Sequence, residues 1–197
     1  MPDKNLNVWK TVSVETILNH NKFLRVENHV VQLPDGQIIP DWSWVIIPDS
    51  VIVLAVSADD KFMCFRQTKY ALQGTSLAPV AGMLEPHETP LQAAKRELLE
   101  EMGYEASEWI SLGGYILDSN RGIATTHLFL ALHAKKVAEP SCDDLEEQEF
   151  VYLNKEEIET ALKAGEFKIL PWAATVSIAL NYLNRSFATL PKETGTM

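Results

Sequence analysis

The chain has 197 residues and a net charge of −10, enough length for one core-bearing domain with a small appendage. Hydrophobic residues make up 46% and charged residues 22%, the balance of an ordinary globular protein, and the acidic excess disfavours nucleic-acid backbones and anionic membranes as partners. The two cysteines, Cys64 and Cys142, form no C-x-x-C pair, so neither a disulfide framework nor a cysteine-rich zinc site is expected.

In chain order, the opening MPDKNLNVWKTVSVETIL lacks a basic start followed by an apolar run, so no signal peptide is expected. No apolar stretch approaches the roughly 18 residues of a membrane helix; the expected location is the cytoplasm. Residues 23–33 and 36–46 are strand-like and flank Pro34-Asp35-Gly36, a hairpin signal. Residues 51–57 and 62–66 predict two buried strands joined by a turn at Asp59-Asp60. Thr89 to Gly103 predicts a helix, and strand-like segments follow near 110–118 and 126–134. An acidic loop, 142–149, precedes a short strand from Phe150 to Leu153. The next helix is capped by Asn154 with Glu157 three residues on, and stopped by Gly165. A last helix runs from about Pro171 to Asn184, and the tail beyond Arg185 is expected to fray. Many strands with three irregularly placed helices predict an α+β domain with a mixed sheet. The expected division is a small antiparallel sheet or dimerisation arm over 1–46, a main domain over 47–185 and a flexible tail over 186–197.

The segment GMLEPHETPLQAAKRELLEEMGY, Gly82 to Tyr104, carries the chemistry. Thr89 suits the N-cap, Pro90 the first helical position, and Gln92 completes a capping box; Gly103 is fit to end the helix in a left-handed conformation. Leu91, Ala94, Leu98 and Met102 form an apolar stripe expected to be buried. Glu97, Glu100 and Glu101 lie on a neighbouring face, where residues three or four apart are close enough to repel. Arg96 answers part of that charge, and hard divalent cations suit the rest, because Mg²⁺ prefers carboxylate oxygens. Taken alone, a glutamate run is most often a solvated face.

The wider pattern decides otherwise. Glycine, five residues, glutamate, seven residues, then Arg-Glu-aliphatic-x-Glu-Glu-x-Gly reproduces the Nudix box at Gly82, Glu88, Arg96, Glu97, Leu98, Glu100, Glu101 and Gly103. The chain resembles the Nudix hydrolase superfamily over about residues 45 to 185. That resemblance implies an α/β/α sandwich with the box as loop–helix–loop. It implies magnesium, with manganese as the alternative ion, on Glu97, Glu100 and Glu101 with the Ala81 carbonyl. Gly82 is expected to let the backbone approach metal and pyrophosphate, Arg96 to hold the box carboxylates, and Glu88 to be structural. The general base is expected in the acidic loop: Glu146 first, with Glu147 and Asp144 as alternatives. Tyr104 departs from the aliphatic residue usual at the end of the box.

Within the superfamily the chain looks most like the ADP-ribose pyrophosphatase and nucleoside diphosphate-sugar group. FRQTKY at 65–70 resembles that group's Arg-Gln-x-Arg-Tyr stretch, with Lys69 for the usual arginine. APVAGMLE at 78–85 resembles its Glu-Leu-Pro-Ala-Gly segment, although Pro79 sits one place early and Ala78 replaces the acid. The implied reaction splits ADP-ribose or a related nucleotide sugar into a nucleoside monophosphate and a sugar phosphate. A homodimer through the N-terminal strands is expected. Arg66 and Lys69 are candidates for phosphate contact. Trp42 and Trp44 share one strand face and suit either packing or stacking of a nucleobase. His127 is expected to be structural. The alternatives are a non-catalytic nucleotide sensor, or a hydrolase of dinucleoside polyphosphates or coenzyme A; capped RNA fits an acidic chain poorly.

Overall fold

The computed structural model describes residues 7–141 and 147–188, the last three of these by backbone alone. The chain divides into two compact units, one holding residues up to Asp49 together with Ile116–Thr125, the other Ser50–Tyr115 and the chain from Thr126 onward. The first unit therefore takes in a later segment that a cut at residue 46 leaves elsewhere.

In the first unit, β1 (Lys10–His20), β2 (Leu24–Gln32) and β3 (Ile38–Ile46) form an antiparallel sheet in that order. The hairpin between β2 and β3 turns where Pro34-Asp35-Gly36 predicts it. Gly36 adopts φ 90°, its amide donates to the Leu33 carbonyl at 3.0 Å, and the Asp35 carboxylate accepts from the Gln37 amide at 3.0 Å. β1 was not anticipated as a strand. Every one of its residues is exposed, so it carries no inside–outside contrast for alternation to reveal. The segment 116–125 joins this sheet: the Val45 amide donates to the Arg121 carbonyl at 3.0 Å and the Trp42 indole to the Asn120 carbonyl at 2.8 Å.

The second unit holds most of a mixed sheet. The strands of this sheet are β4 (Ser50–Ser57), β5 (Phe62–Gln67), β6 (Ser76–Ala78), β7 (Val80–Met83), β8 (Tyr104–Glu105), β9 (Glu108–Asp118), β10 (Ile123–Lys136) and β11 (Gln148–Leu153). β9 and β10 have one end each in the Ile116–Thr125 segment of the first unit. The main path runs β11-β5-β4-β10-β8, with β6 on β5, β7 on β4 and β9 on β10. β4 and β10 are parallel, whereas β4 is antiparallel to β5 and β7. All of β4 after Ser50 is buried, the signature of a strand covered on both faces. Helices α1 (Pro90–Glu97) and α3 (Leu170–Ala188) both pack on it, and α2 (Lys155–Lys163) packs on α3 and β11. The core includes Val51, Val53, Leu54, Met63, Phe65, Leu98, Leu130, Ile158 and Val176, each essentially inaccessible to water. The expected α+β class with a mixed sheet and a small antiparallel sheet is what forms. α3 continues past Arg185 to Ala188, further than the sequence suggested.

Both anticipated capping boxes are present. Thr89 accepts from the Gln92 amide while Gln92 returns a bond to the Thr89 amide, and Asn154 and Glu157 do the same for α2. Neutralising otherwise unpaired first-turn amides in this way stabilises a helix by about 1 kcal/mol. Among the described residues, no helix is long and apolar enough to cross a membrane.

Candidate active site

The box begins on β7 and ends beyond α1. Gly82 sits on β7 opposite Val51 of β4, and Ala81 opposite Ile52, so the start of the box is fixed to the most buried strand. The loop after β7 leads to the Thr89 cap. From Leu98 to Met102 the helix then widens into a π-helical turn, closed by Gly103 at φ 75°, whose amide donates to the Leu98 and Leu99 carbonyls. The expected helix over 89–103 is thus α-helical only to Glu97. π turns inside helices often mark functional positions, and a wider turn brings residues four apart nearer to the same face.

That geometry corrects the expected apolar stripe. Ala94, Leu98 and Met102 are buried, but Leu91, in the first turn, is 38% exposed. Ala93, Glu97 and Glu101 take part in the buried face instead, the two glutamates at only 9% exposure each. Glu100 stays open, its side chain 45% exposed. Two of the three box carboxylates are therefore drawn out of water, a costly placement unless charge and hydrogen bonds compensate.

Arg96 supplies that compensation for Glu97. Its Nη1 donates to Glu97 Oε1 at 2.8 Å and Glu100 Oε2 at 3.0 Å. Its Nε and Nη2 grip Glu88 with a fork of 2.9 and 3.0 Å, and Nη2 also reaches the Met83 carbonyl at 3.0 Å. A guanidinium has five N–H donors, and these five bonds use all of them. Arg96 is held more firmly charged than usual, first by its bond to Glu88 and also by Glu97 and Glu100, against the opposing effect of burial. Glu88 is held below the usual carboxylate range, mainly by the Arg96 bond, with the Glu85 amide adding to it. Arg96 thereby fastens the loop at Met83–Glu88 to the helix. Sequence reading anticipated Arg96 with the box acids, but the Met83 carbonyl carried no signal in the sequence.

The residues fit a divalent cation. A Cβ on Gly82 would collide with the Glu97 carboxyl group, so the missing side chain opens the cradle in which that carboxylate lies against the β7 backbone. Each carboxylate has about four lone-pair sites, more than the bonds from Arg96 occupy. Among the described residues, no three acidic, histidine or cysteine side chains are grouped so as to hold a metal ion between them. Magnesium does not need such a grouping, since it keeps several waters and takes few carboxylates.

Ser141, the residue before the acidic loop, is tied to the box: its amide donates to the Glu100 carbonyl at 2.8 Å. Glu146 and Asp144 lie outside the described residues, and Glu147 is exposed. Where the loop ends, Glu149 stands opposite Arg66 across β11 and β5. Arg66 is engaged by Glu166 at 2.7 Å, both side chains about 40% exposed (39% and 41%); nothing in the sequence linked residues this far apart. His127 pairs in register with Val51 on β10 and β4, a sheet position consistent with a packing role.

Trp44 belongs to the first unit. Its indole stacks on His29 with centroids 5.1 Å apart, His29 bonds Glu27 at 2.9 Å, and a side chain on Gly122 would strike the Trp44 ring. Trp42 and Trp44 line a cavity of about 350 Å³ with Trp9, His29 and Asn120.

The comparisons with known proteins agree with this geometry. Residues 47–173 match the NUDIX domain model. The ADP-ribose pyrophosphatase of Bacillus subtilis (strain 168) is 31% identical over 174 residues, covering 88% of this chain and 91% of that protein. The methanol dehydrogenase activator of Bacillus methanolicus is 30% identical over the same length, with the same coverage. A solved structure described as an ADP compounds hydrolase superposes with a TM-score of 0.76 at 18% identity, covering 93% of this chain and 98% of its own, a likeness of fold. The chain belongs to the Nudix family and is a Nudix hydrolase, resembling along most of its length the ADP-ribose pyrophosphatase group.

Proposed function

We propose that this hydrolase cleaves the pyrophosphate bond of a nucleoside diphosphate linked to a second group, with ADP-ribose or a related nucleotide sugar as its substrate class, and that it does so with magnesium. The products are a nucleoside monophosphate and a sugar phosphate. The observation that carries this reading is the Gly82–Glu97 cradle braced by Arg96, a concentration of oxygen ligands beside backbone left open by a glycine. Full-length similarity to the B. subtilis ADP-ribose pyrophosphatase supports the substrate class.

Glu97, Glu100, Glu101 and the Ala81 carbonyl would hold the cation, manganese serving in place of magnesium. When bound, such an ion supplies positive charge against the diphosphate and acidifies water. Arg96 keeps Glu97 and Glu100 in place and offsets part of their mutual repulsion. A carboxylate of the acidic loop, Glu146 ahead of Glu147 and Asp144, takes the proton from the attacking water; Ser141, just before that loop, is bonded to Glu100. Arg66 contacts phosphate by exchanging its half-exposed pairing with Glu166, which costs no more than about 1 kcal/mol. The protein acts as a cytoplasmic homodimer, a reading supported by the exposed Val12, Val14, Ile17 and Leu18 of β1.

The test is coupled phosphate release with magnesium over ADP-ribose, nucleoside diphosphate sugars, dinucleoside polyphosphates and coenzyme A. Preference for the first two supports the proposal. Tight calorimetric binding of ADP-ribose with no turnover of any of them would instead favour a sensor.

A further inference from the structure

β4 begins beside the box, where Val51 faces Gly82, and ends at Ser57, about 20 Å further along at the rise of an extended strand. At that far end a separate cleft opens. Ser57, Asp59, Lys61, Tyr104, Lys135 and Tyr152 are among its lining residues, and its volume is about 530 Å³, within the range of small-molecule sites. We propose that this cleft is a second anion site, taking the phosphomonoester group of a small molecule whose apolar part lies along Tyr152.

Charge is the first argument. In a chain of net charge −10, Lys61, Lys135 and Lys136 are among the residues lining this cleft, with Asp59 the carboxylate in that lining and Glu105 opposite Lys135 across β8 and β10. Asp59 is turned to the Ser57 hydroxyl at 2.6 Å. Lys136 pairs with Glu139 at 2.8 Å, but those side chains are 49% and 84% exposed, and so open a pair is worth little. A phosphate dianion, which makes stronger charge-assisted bonds, displaces it. Lys136 stands opposite Tyr104 across β10 and β8, so its side chain shares the face of that tyrosine, while Lys135 stands opposite Glu105.

The hydroxyls are the second argument. Tyr104 and Tyr152 stand with their oxygens 3.1 Å apart. One donates to the other, and the acceptor keeps its own O–H to offer a ligand oxygen. Burial first, then the bond to Tyr104, pushes the Tyr152 phenol up to about 12, so it remains a donor across the physiological range. Tyr104 is the box position at which the family resemblance calls for an aliphatic residue. Its hydroxyl has no part in gathering Glu97, Glu100 and Glu101, and the cleft gives it one.

The test titrates the full chain, carrying ring-labelled tyrosine and no divalent ion, with inorganic phosphate and separately with phenyl phosphate, at matched ionic strength. Tyr152→Phe and Tyr104→Phe assign the two resonances by NMR. Saturable shifts confined to Tyr104 and Tyr152, tighter for phenyl phosphate, are expected. The double variant Lys61→Gln/Lys136→Gln should weaken both by about tenfold or more and leave magnesium-dependent turnover at the wild-type rate. Shifts spread equally over Tyr70 and Tyr115, no saturation, or indifference to the lysine substitutions overturns the proposal. Saturable tyrosine shifts in a wild-type protein that shows no magnesium-dependent turnover would count against the active-site reading alone.

Discussion

The Glu97 carboxylate occupies the space that a side chain on Gly82 would fill. One is on a strand and the other on a helix, so the glycine leaves room for the Glu97 carboxylate against β7. Gly82→Ala forces a methyl group into that carboxylate. It should destabilise the protein by about 1–3 kcal/mol, as overpacking does, and remove most of the hydrolytic rate. Urea unfolding and steady-state kinetics check it; unchanged kcat would mean that Glu97 is free to sit elsewhere.

Arg96 uses every donor it has, in a fork that lysine cannot reproduce. Arg96→Lys should lower stability by about 2–3 kcal/mol, given what a hydrogen bond to a charged group is worth, and lower kcat as Glu97 and Glu100 lose their brace. Unfolding midpoints in urea give the first quantity and initial rates the second. A variant as stable as the wild type would show that the loop from Met83 to Glu88 is held by other contacts.

The same network sets an acid limit. Glu88 has its folded-state pKa depressed by Arg96 and the Glu85 amide, so the unfolded chain binds the proton more readily. Its stabilising contribution is present above the unfolded value of about 4.3 and is lost as pH falls through the lower folded value. As pH falls from neutrality past the unfolded value, the wild type should lose more stability than Glu88→Gln. Parallel pH profiles of the two proteins would contradict this.

Glu101 is largely buried on the carboxylate face. Glu101→Gln should reduce the magnesium-dependent rate by at least about a hundredfold. Activity near that of the wild type would remove Glu101 from the proposed metal set.

Val14 is 51% exposed on β1 and contributes little to the folding of a single chain. Val14→Glu should leave the circular dichroism spectrum unchanged and convert the proposed homodimer to monomer in light scattering. A dimer that survives must associate through another surface.

Local chemistry alone determined the elements that carry function. The Thr89–Gln92 and Asn154–Glu157 boxes, the left-handed Gly103 and the turn at Gly36 each satisfy backbone groups within a few residues, so their causes are written next to their effects. The box pattern likewise announced three glutamates and an arginine at helical spacing. Tertiary structure decided what those groups meet. It buried Glu97 and Glu101 rather than Leu91 and widened the helix after Glu97. It also gave Arg96 the Met83 carbonyl and paired Arg66 with Glu166. Such choices depend on which distant segments arrive beside each other and on how much water they expel, and neither quantity is a property of any short stretch of chain.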